Sequence, residues 1–214
     1  MISFIVPTMW KSKDTLYNML DSYKEAKIPN AEFILIDNVH GCYLEPEITI
    51  LIPKENLYVN KSWNIGVELA KNNIVCLLND DIEINFQTIK NNIEAINNLD
   101  FGIIGFDANR NLKTERNEDA DTFEFKEAEC RYLGFGCMMF IRKENYIKID
   151  ERLRIFFGDD LLYWWNRDKN KRPIYIIDNL KALGLLSVTS ANYNAEIQVE
   201  LPYFDEVIRN LQNG

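Results

Sequence analysis

The sequence is poor in the residues from which many reactive centres are built. It holds one histidine, His40, in 214 residues, too little for a zinc site or a Ser-His-Asp triad. Its four cysteines, Cys42, Cys76, Cys130 and Cys137, show no CxxC spacing. Cys76 and Cys137 sit in apolar runs, so buried free thiols in a reducing compartment are expected. No basic stretch could neutralise a run of phosphates, and the formal net charge is −9. A general nucleic-acid binder is therefore excluded, though a single nucleotide is not. No apolar stretch approaches a membrane span. Met1 leads straight into Ile2-Ser3-Phe4-Ile5-Val6, with no basic leader or cleavage site, so a cytoplasmic location is the expectation. No strand is followed by GxGxxG, which removes a dinucleotide-binding dehydrogenase. Internal repeats and low-complexity linkers are missing as well.

What is present is a globular chain, 47% hydrophobic and 12% aromatic. Phe4-Ile5-Val6 reads as a strand closed by Pro7, which cannot donate to a ladder. Ser12 can cap a helix over residues 13–27, whose apolar stripe is Leu16, Met19, Leu20 and Tyr23. Phe33-Ile34-Leu35-Ile36 is a second buried strand, with Asp37-Asn38 at its carboxyl end. Residues 48–52 form a third, ended by Pro53. The spacing predicts a helix capped by Ser62, with Ile65, Leu69 and Ala70 inward, then the strand Ile74-Val75-Cys76-Leu77-Leu78. That continuous apolar run suits a strand buried on both faces. Residues 86–99 form an amphipathic helix with Ile89, Ile93 and Ile96 on one face, and residues 101–106 a further strand. Repeated strand–helix–strand units imply an α/β fold with a mostly parallel sheet.

Residues 107–130 lose this periodicity and are rich in charge; they read as a solvated excursion or a lid, with a hairpin near 122–125. Residues 132–141 are apolar again, and Gly134 and Gly136 allow close backbone approach. A short helix is expected over 142–149. Gly158 permits a tight turn before a helix opening with Asp159-Asp160 and running through Trp164 and Trp165. Residues 173–177 form a last strand, and 204–211 a terminal helix with Pro202 near its start.

Two acidic clusters stand out. Asn79, Asp80, Asp81 and Glu83 follow the buried strand at the edge where open α/β sheets bind ligands. Asp159 and Asp160 follow Gly158. Each pair alone is also compatible with a plainer role, a solvated turn for the first and helix capping for the second. Together they suit a division of labour. One pair holds a hard cation, Mn²⁺ or Mg²⁺, with a diphosphate, and the other takes a proton from an attacking hydroxyl.

The order of these segments resembles the GT-A fold nucleotide-sugar glycosyltransferases, closest to the family 2, rhamnosyltransferase-like group. The resemblance is carried by Ile5-Val6-Pro7-Thr8, Ile34-Leu35-Ile36-Asp37-Asn38, Asn64-Ile65-Gly66 with Ala70, and Leu77-Leu78-Asn79-Asp80-Asp81. It continues through residues 134–142, Asp150-Glu151 and Gly158-Asp159-Asp160. It implies a single Rossmann-like GT-A domain over residues 1–214, with a nucleotide-binding half to residue 106 and an acceptor or variable half after it. It also implies transfer of a sugar from a nucleoside-diphosphate sugar, UDP favoured, to a hydroxyl of a glycan or glycoprotein. By that resemblance Pro7, Thr8 and Asp37 contact the nucleotide, Lys61 and Asn64 lie near the ribose or diphosphate, and Asp81 with Asp80 holds the metal. Gly134 and Gly136 border the donor sugar. Asp160 or Asp159 is the base of an inverting displacement, and Trp164 or Trp165 can stack on a sugar or pack in the core. The chain departs from the pattern where Asn79 replaces the first acid of a strict DxD and Leu162 a later acid. No Q-x-x-R-W segment marks a processive synthase. A non-catalytic sugar- or nucleotide-binding module is the alternative. A sugar-phosphate nucleotidyltransferase shares the layout but needs a glycine-rich basic loop where Pro7-Thr8-Met9-Trp10 stands. The Asn-, Ile- and Lys-rich composition suits a small viral or low-GC bacterial enzyme.

Overall fold

A computed structural model describes residues 1–41, 47–113, 122–184 and 194–213. Cys42, the middle of the charged excursion and residues 185–193 lie outside the described residues. In chain order the elements are β1 (Ile2–Thr8), α1 (Lys13–Ala26), β2 (Glu32–Asp37), β3 (Thr49–Leu51), α2 (Tyr58–Leu69), β4 (Ile74–Leu78) and β5 (Ile82–Ile84). Then come α3 (Phe86–Asn91), α4 (Ile93–Asn98), β6 (Ile103–Gly105), α5 (Ala108–Asn111), β7 (Leu112–Lys113), β8 (Glu124–Glu127) and β9 (Met138–Arg142). The chain closes with α6 (Gly158–Trp164), β10 (Ile174–Asp178), β11 (Ala182–Gly184) and α7 (Asn194–Asn213).

Among the described residues eight strands form the main sheet in the order β3-β2-β1-β4-β9-β6-β10-β8, and β5-β11-β7 form a small second sheet. In the main sheet β9 is antiparallel to both β4 and β6, and β8 is antiparallel to β10; the remaining pairs are parallel. The mostly parallel, helix-flanked sheet expected from the α/β repeats is therefore observed. Alternation along the strands separates two apolar layers. Phe4, Val6, Cys76 and Leu78 pack with Leu16 and Met19 of α1 and Phe86 of α3 on one face. Ile5, Val75 and Leu77 pack with Trp63 and Val67 of α2 and Leu161 and Leu162 of α6 on the other. Full burial of β4 on both faces explains why its sequence is apolar without interruption.

Several local expectations are corrected. Pro7 does not close β1 but lies inside it, opposite Ile36 of β2, where the ladder to β4 has already ended at Ile5. Ser12 precedes α1 but makes no side-chain cap; its carbonyl accepts from Leu16 N–H at 3.0 Å. α2 starts one turn before Ser62, whose hydroxyl donates back to the Tyr58 carbonyl from within the helix. The buried face of α2 carries Trp63, Gly66 and Val67, while Leu69 is 46% exposed. The expected helix over residues 86–99 breaks at Asn92 into α3 and α4. Residues 142–149 hold only a short 3-10 turn, Lys143–Asn145. β8 pairs with distant β10, and among the described residues it has no hairpin partner. Pro202 lies inside α7, which begins well before it.

Gly66, the glycine of the N-x-G segment, is explained by packing. A Cβ there would sit 2.3 Å from Cγ2 of Ile5, in the middle of β1. Gly66→Ala is expected to destabilise the fold by about 1–3 kcal/mol through overpacking, lowering Tm by roughly 2–4 °C for each kcal/mol. Thermal melting checks this; an unchanged Tm would show that α2 has room to lift from the sheet.

Candidate active site

β1, β2 and β4 run parallel, so their carboxyl ends share one edge of the sheet. A cavity of about 130 Å³ opens there. Its walls are Pro7, Thr8, Met9, Lys11 and Ser12 after β1, Asn38 after β2, Asn56, Tyr58 and Val59 at the start of α2, Asn79, Asp80 and Asp81 after β4, and Ile155.

The first acidic cluster is tied to β1. Thr8 Oγ1 donates to Asp80 Oδ2 at 2.6 Å and accepts from Trp10 N–H at 2.9 Å. Burial raises the Asp80 carboxyl above its ordinary range, opposed by the Thr8 hydroxyl, by the backbone N–H groups of Met9 and Asp80, and by the charge of Lys11. Asp81 is pushed up to about 6, by burial first and the charge of Asp80 second, while its own backbone N–H and the Asn79 amide work the other way. Asn79 therefore eases the charge on Asp81, where a third carboxylate would have repelled it. Asp81 Oδ1 is buried and has no hydrogen-bond partner. An orphaned carboxylate oxygen beside a second carboxylate fits a hard divalent cation. Among the described residues no group of three or more His, Cys, Asp or Glu converges, so a cation held by this pair would take its other ligands from water and phosphate oxygens.

Asn38 joins β1, β2 and α2. Its N–H donates to the Thr8 carbonyl at 3.0 Å, its Oδ1 accepts from Leu57 N–H at 2.9 Å, and its Nδ2 donates to Ser62 Oγ at 3.2 Å. Asp37 beside it is fully buried and accepts from Val39 N–H at 3.1 Å.

The second acidic cluster opens α6. Asp159 and Asp160 share one cation, Arg131, which pairs with Asp159 and lies 2.9 Å from Asp160 Oδ1. Burial and the Asp159 charge push Asp160 up to about 6 against the pull of Arg131. Burial also works against the charge of Arg131, and the two acids more than restore it. The two clusters meet across one turn. Gly134, at φ 72°, leads into the 3-10 turn Phe135–Cys137. Cys137 carbonyl accepts from Asn79 N–H at 3.0 Å, and a Cβ on Gly136 would lie 2.7 Å from Asp159 Oδ2. The Cys137 thiol, pushed up to about 12 by burial and then by Asp81 and Asp159, sits in the field of both clusters.

Two other expected site residues are engaged elsewhere. Lys61 pairs with Glu151 at 3.0 Å. Asn64 is 3% exposed; its Nδ2 donates to the Ile149 carbonyl and its Oδ1 accepts from Tyr146 Oη and Ile149 N–H, so it fastens residues 146–149 to α2. Neither forms part of the cavity wall, and nor do Asp37, Gly134, Gly136, Asp159 or Asp160. Trp164 is half-buried against the α2 layer. Gly158 is glycine because a Cβ would fall 2.0 Å from Asn60 Oδ1; the left-handed residue of that turn is Phe157, at φ 61°. Arg131 and Ile155 were not singled out by the sequence, since one ends a charged excursion and the other lies in an ordinary apolar run.

Residues 3–150 match the family model described as glycosyl transferase family 2. The chain belongs to that family. Its fold is that of solved GT-A glycosyltransferases. S. aureus TarS residues 1–349 superimpose with a TM-score of 0.62 at 14% identity, over 94% of this chain and 64% of that one. The same protein in complex with UDP gives 0.63 at 16%, over 92% and 63%, and in complex with UDP-GlcNAc 0.62 at 15%, over 92% and 64%. At such identities the likeness is one of fold, and this chain spans just under two thirds of those TarS chains. A sequence comparison with curated proteins gives no match. No helix among the described residues of this family 2 member is long and apolar enough to cross a membrane.

Proposed function

We propose that this glycosyltransferase moves a sugar from a UDP-sugar to a hydroxyl of a glycan or glycoprotein acceptor, with inversion. The observation that carries the reading is the half-buried Asp80–Asp81 pair, with its orphaned oxygen, one turn away from the Arg131-paired Asp159–Asp160 in a family 2 chain. The UDP and UDP-GlcNAc complexes of TarS support the choice of donor. Pro7, Thr8 and Asp37 border the nucleotide, and Gly134 and Gly136 border the sugar. Asp81 and Asp80 would hold Mn²⁺ or Mg²⁺, which when bound stabilises negative charge on the departing diphosphate. In the transfer, the bond from the sugar's anomeric carbon to the diphosphate oxygen breaks and its electron pair leaves with UDP. The acceptor oxygen bonds to that carbon from the opposite face, and its proton goes to a carboxylate of the second pair. Asp160 suits this role, because a carboxyl raised to about 6 is still ionised at neutral pH yet more basic than an ordinary one.

A panel of nucleotide sugars screened by thermal shift, with and without Mn²⁺, tests the reading. UDP-sugars at about 100 times their Kd are expected to stabilise the protein by about 2.7 kcal/mol, which is roughly 5–10 °C for a domain of this size. The stabilisation should need the metal. No response to any nucleotide would sink the assignment, and binding without turnover toward every acceptor tried would favour a binding module.

A further inference from the structure

The C-terminal helix α7 reaches the candidate site through one buried carboxylate. Glu200 is 2% exposed, and it accepts from Ile155 N–H at 3.1 and 3.3 Å to its two oxygens and from Phe156 N–H at 2.9 Å. From the other side, α2 holds the same segment. The Arg154 carbonyl accepts from Val59 and Asn60 N–H at 3.1 and 3.0 Å, and Asn60 Nδ2 donates to the Leu153 and Phe156 carbonyls at 3.0 and 2.9 Å. Phe157 follows at φ 61°, its ring stacked 5.0 Å from Phe204 of α7 at an interplanar angle of 18°. α6 then begins with Gly158, Asp159 and Asp160. A second tie, Arg152 to Glu206 at 3.0 Å, fixes the same stretch of α7.

These contacts do more than add stability. Burying a carboxylate is costly unless its oxygens are satisfied, and here they are spent on two backbone N–H groups beside the cavity. A bulky residue in the left-handed region costs energy and persists only where its surroundings over-determine it. The segment so constrained carries Ile155, a wall of the cavity, at one end and the second acid pair at the other. We propose that Glu200 is a positioning residue for sugar transfer: by gripping the Ile155 and Phe156 N–H groups it sets where α6 starts, and so where Asp159 and Asp160 stand relative to the cavity. It touches no reacting atom, and it lies beyond residues 3–150, the part that matches the family. The role rests on the reading of Asp159–Asp160 as the proton acceptor.

The test compares full-length Glu200→Ala and Glu200→Gln with the wild type, measuring UDP release from the UDP-sugar that the wild type turns over. Functional sites are counted by calorimetric titration with UDP, so that loss of folded protein does not pass for loss of rate. Glu200→Ala is expected to lower kcat per site by about 10–100-fold, as a shift of about 1 Å in a reacting group does, with donor KM changed less than about threefold. KM is spared because Thr8, Asn38, Asp80 and Asp81 are held by other elements. Glu200→Gln keeps one acceptor oxygen for two N–H groups and is expected to fall about 3–10-fold below wild type. An Ala variant that melts earlier but keeps wild-type kcat per site would make Glu200 merely structural and overturn the proposal. Should that variant not fold, wild-type kcat per site in Glu200→Gln overturns it equally. A wild type that releases UDP from no donor would instead sink the transfer reading itself, which separates the two failures.

Discussion

Replacing Asp81 with Asn is expected to abolish sugar transfer while making the unliganded protein more stable. The carboxyl rises from an ordinary 3.8 to about 6 in the fold, by burial and by the neighbouring Asp80 charge. The folded state therefore binds this proton more tightly than the unfolded chain does. Ionised Asp81 costs stability, increasingly from pH about 4 to about 6 and fully above that, so acidifying from pH 7 toward 4 relieves the strain. The gap between 3.8 and about 6 caps the cost near 3 kcal/mol. The cavity is open to solvent, which screens part of it, so a gain of about 1–2 kcal/mol and a Tm higher by roughly 2–8 °C is expected for Asp81→Asn. Activity should move the other way, by about 10²–10³-fold or more, since a carboxylate that would hold the divalent cation against the departing diphosphate is lost. The Mn²⁺-dependent part of the nucleotide thermal shift should vanish with it. Melting without ligand and UDP release with Mn²⁺ decide the matter; a variant that melts below wild type, or transfers within threefold of it, contradicts the assignment.

Arg131→Met is expected to damage stability and activity together, with opposite pH dependences. Arg131 is the cation paired with Asp159 and Asp160, and its side chain is 32% exposed. Removing one partner of a wholly buried pair costs about 3–5 kcal/mol; with this exposure about 1–3 kcal/mol is expected, or a Tm lower by roughly 2–12 °C. The loss should shrink on acidification, because the two carboxylates, left without a counter-charge, then take up a proton. Activity should respond in reverse. Arg131 is the charge that holds Asp160 down, so its loss moves Asp160 above about 6. The acid limb of the pH–rate profile then shifts to higher pH, and kcat at pH 7 falls about tenfold with partial recovery in mild alkali. An acid limb that stays in place would remove Asp160 from the role of base.

How much of this was legible in the sequence varies with how local the cause is. The Ile74-Val75-Cys76-Leu77-Leu78 run announced a strand buried on both faces, and its burial needs no other part of the chain to be recognised. The stripe Leu16, Met19, Leu20 and Tyr23 was equally plain, since helical periodicity alone defines it. Asp80 and Asp81 followed from their place after β4. Ser62 misled because a hydroxyl before an apolar run looks like a cap; only contact with the Arg154 carbonyl shows that the helix begins a turn earlier, at Tyr58. Asn64 matched a motif, but its polar atoms are committed to residues 146–149, more than eighty positions away. Arg131 and Glu200 carry no local mark at all. Each acquires meaning from backbone or carboxylate groups that only the tertiary fold brings near.

The placement of β9 bears on how the chain must acquire its shape during synthesis. β4 is flanked by β1 and β9, and β6 only by β9 and β10. Until residue 142 has emerged, β4 presents an apolar strand with one side of its ladder open, and β6 has no sheet neighbour whatever. The first 106 residues, though they carry Asp80 and Asp81, do not close into a unit of their own. An open, hydrophobic strand edge invites pairing with other chains, and pairings of such sequence separation form slowly. A growing chain therefore carries an open apolar edge on β4 until residues 138–142, which do not line the cavity, pair with it, and on β6 until residues 174–178 follow.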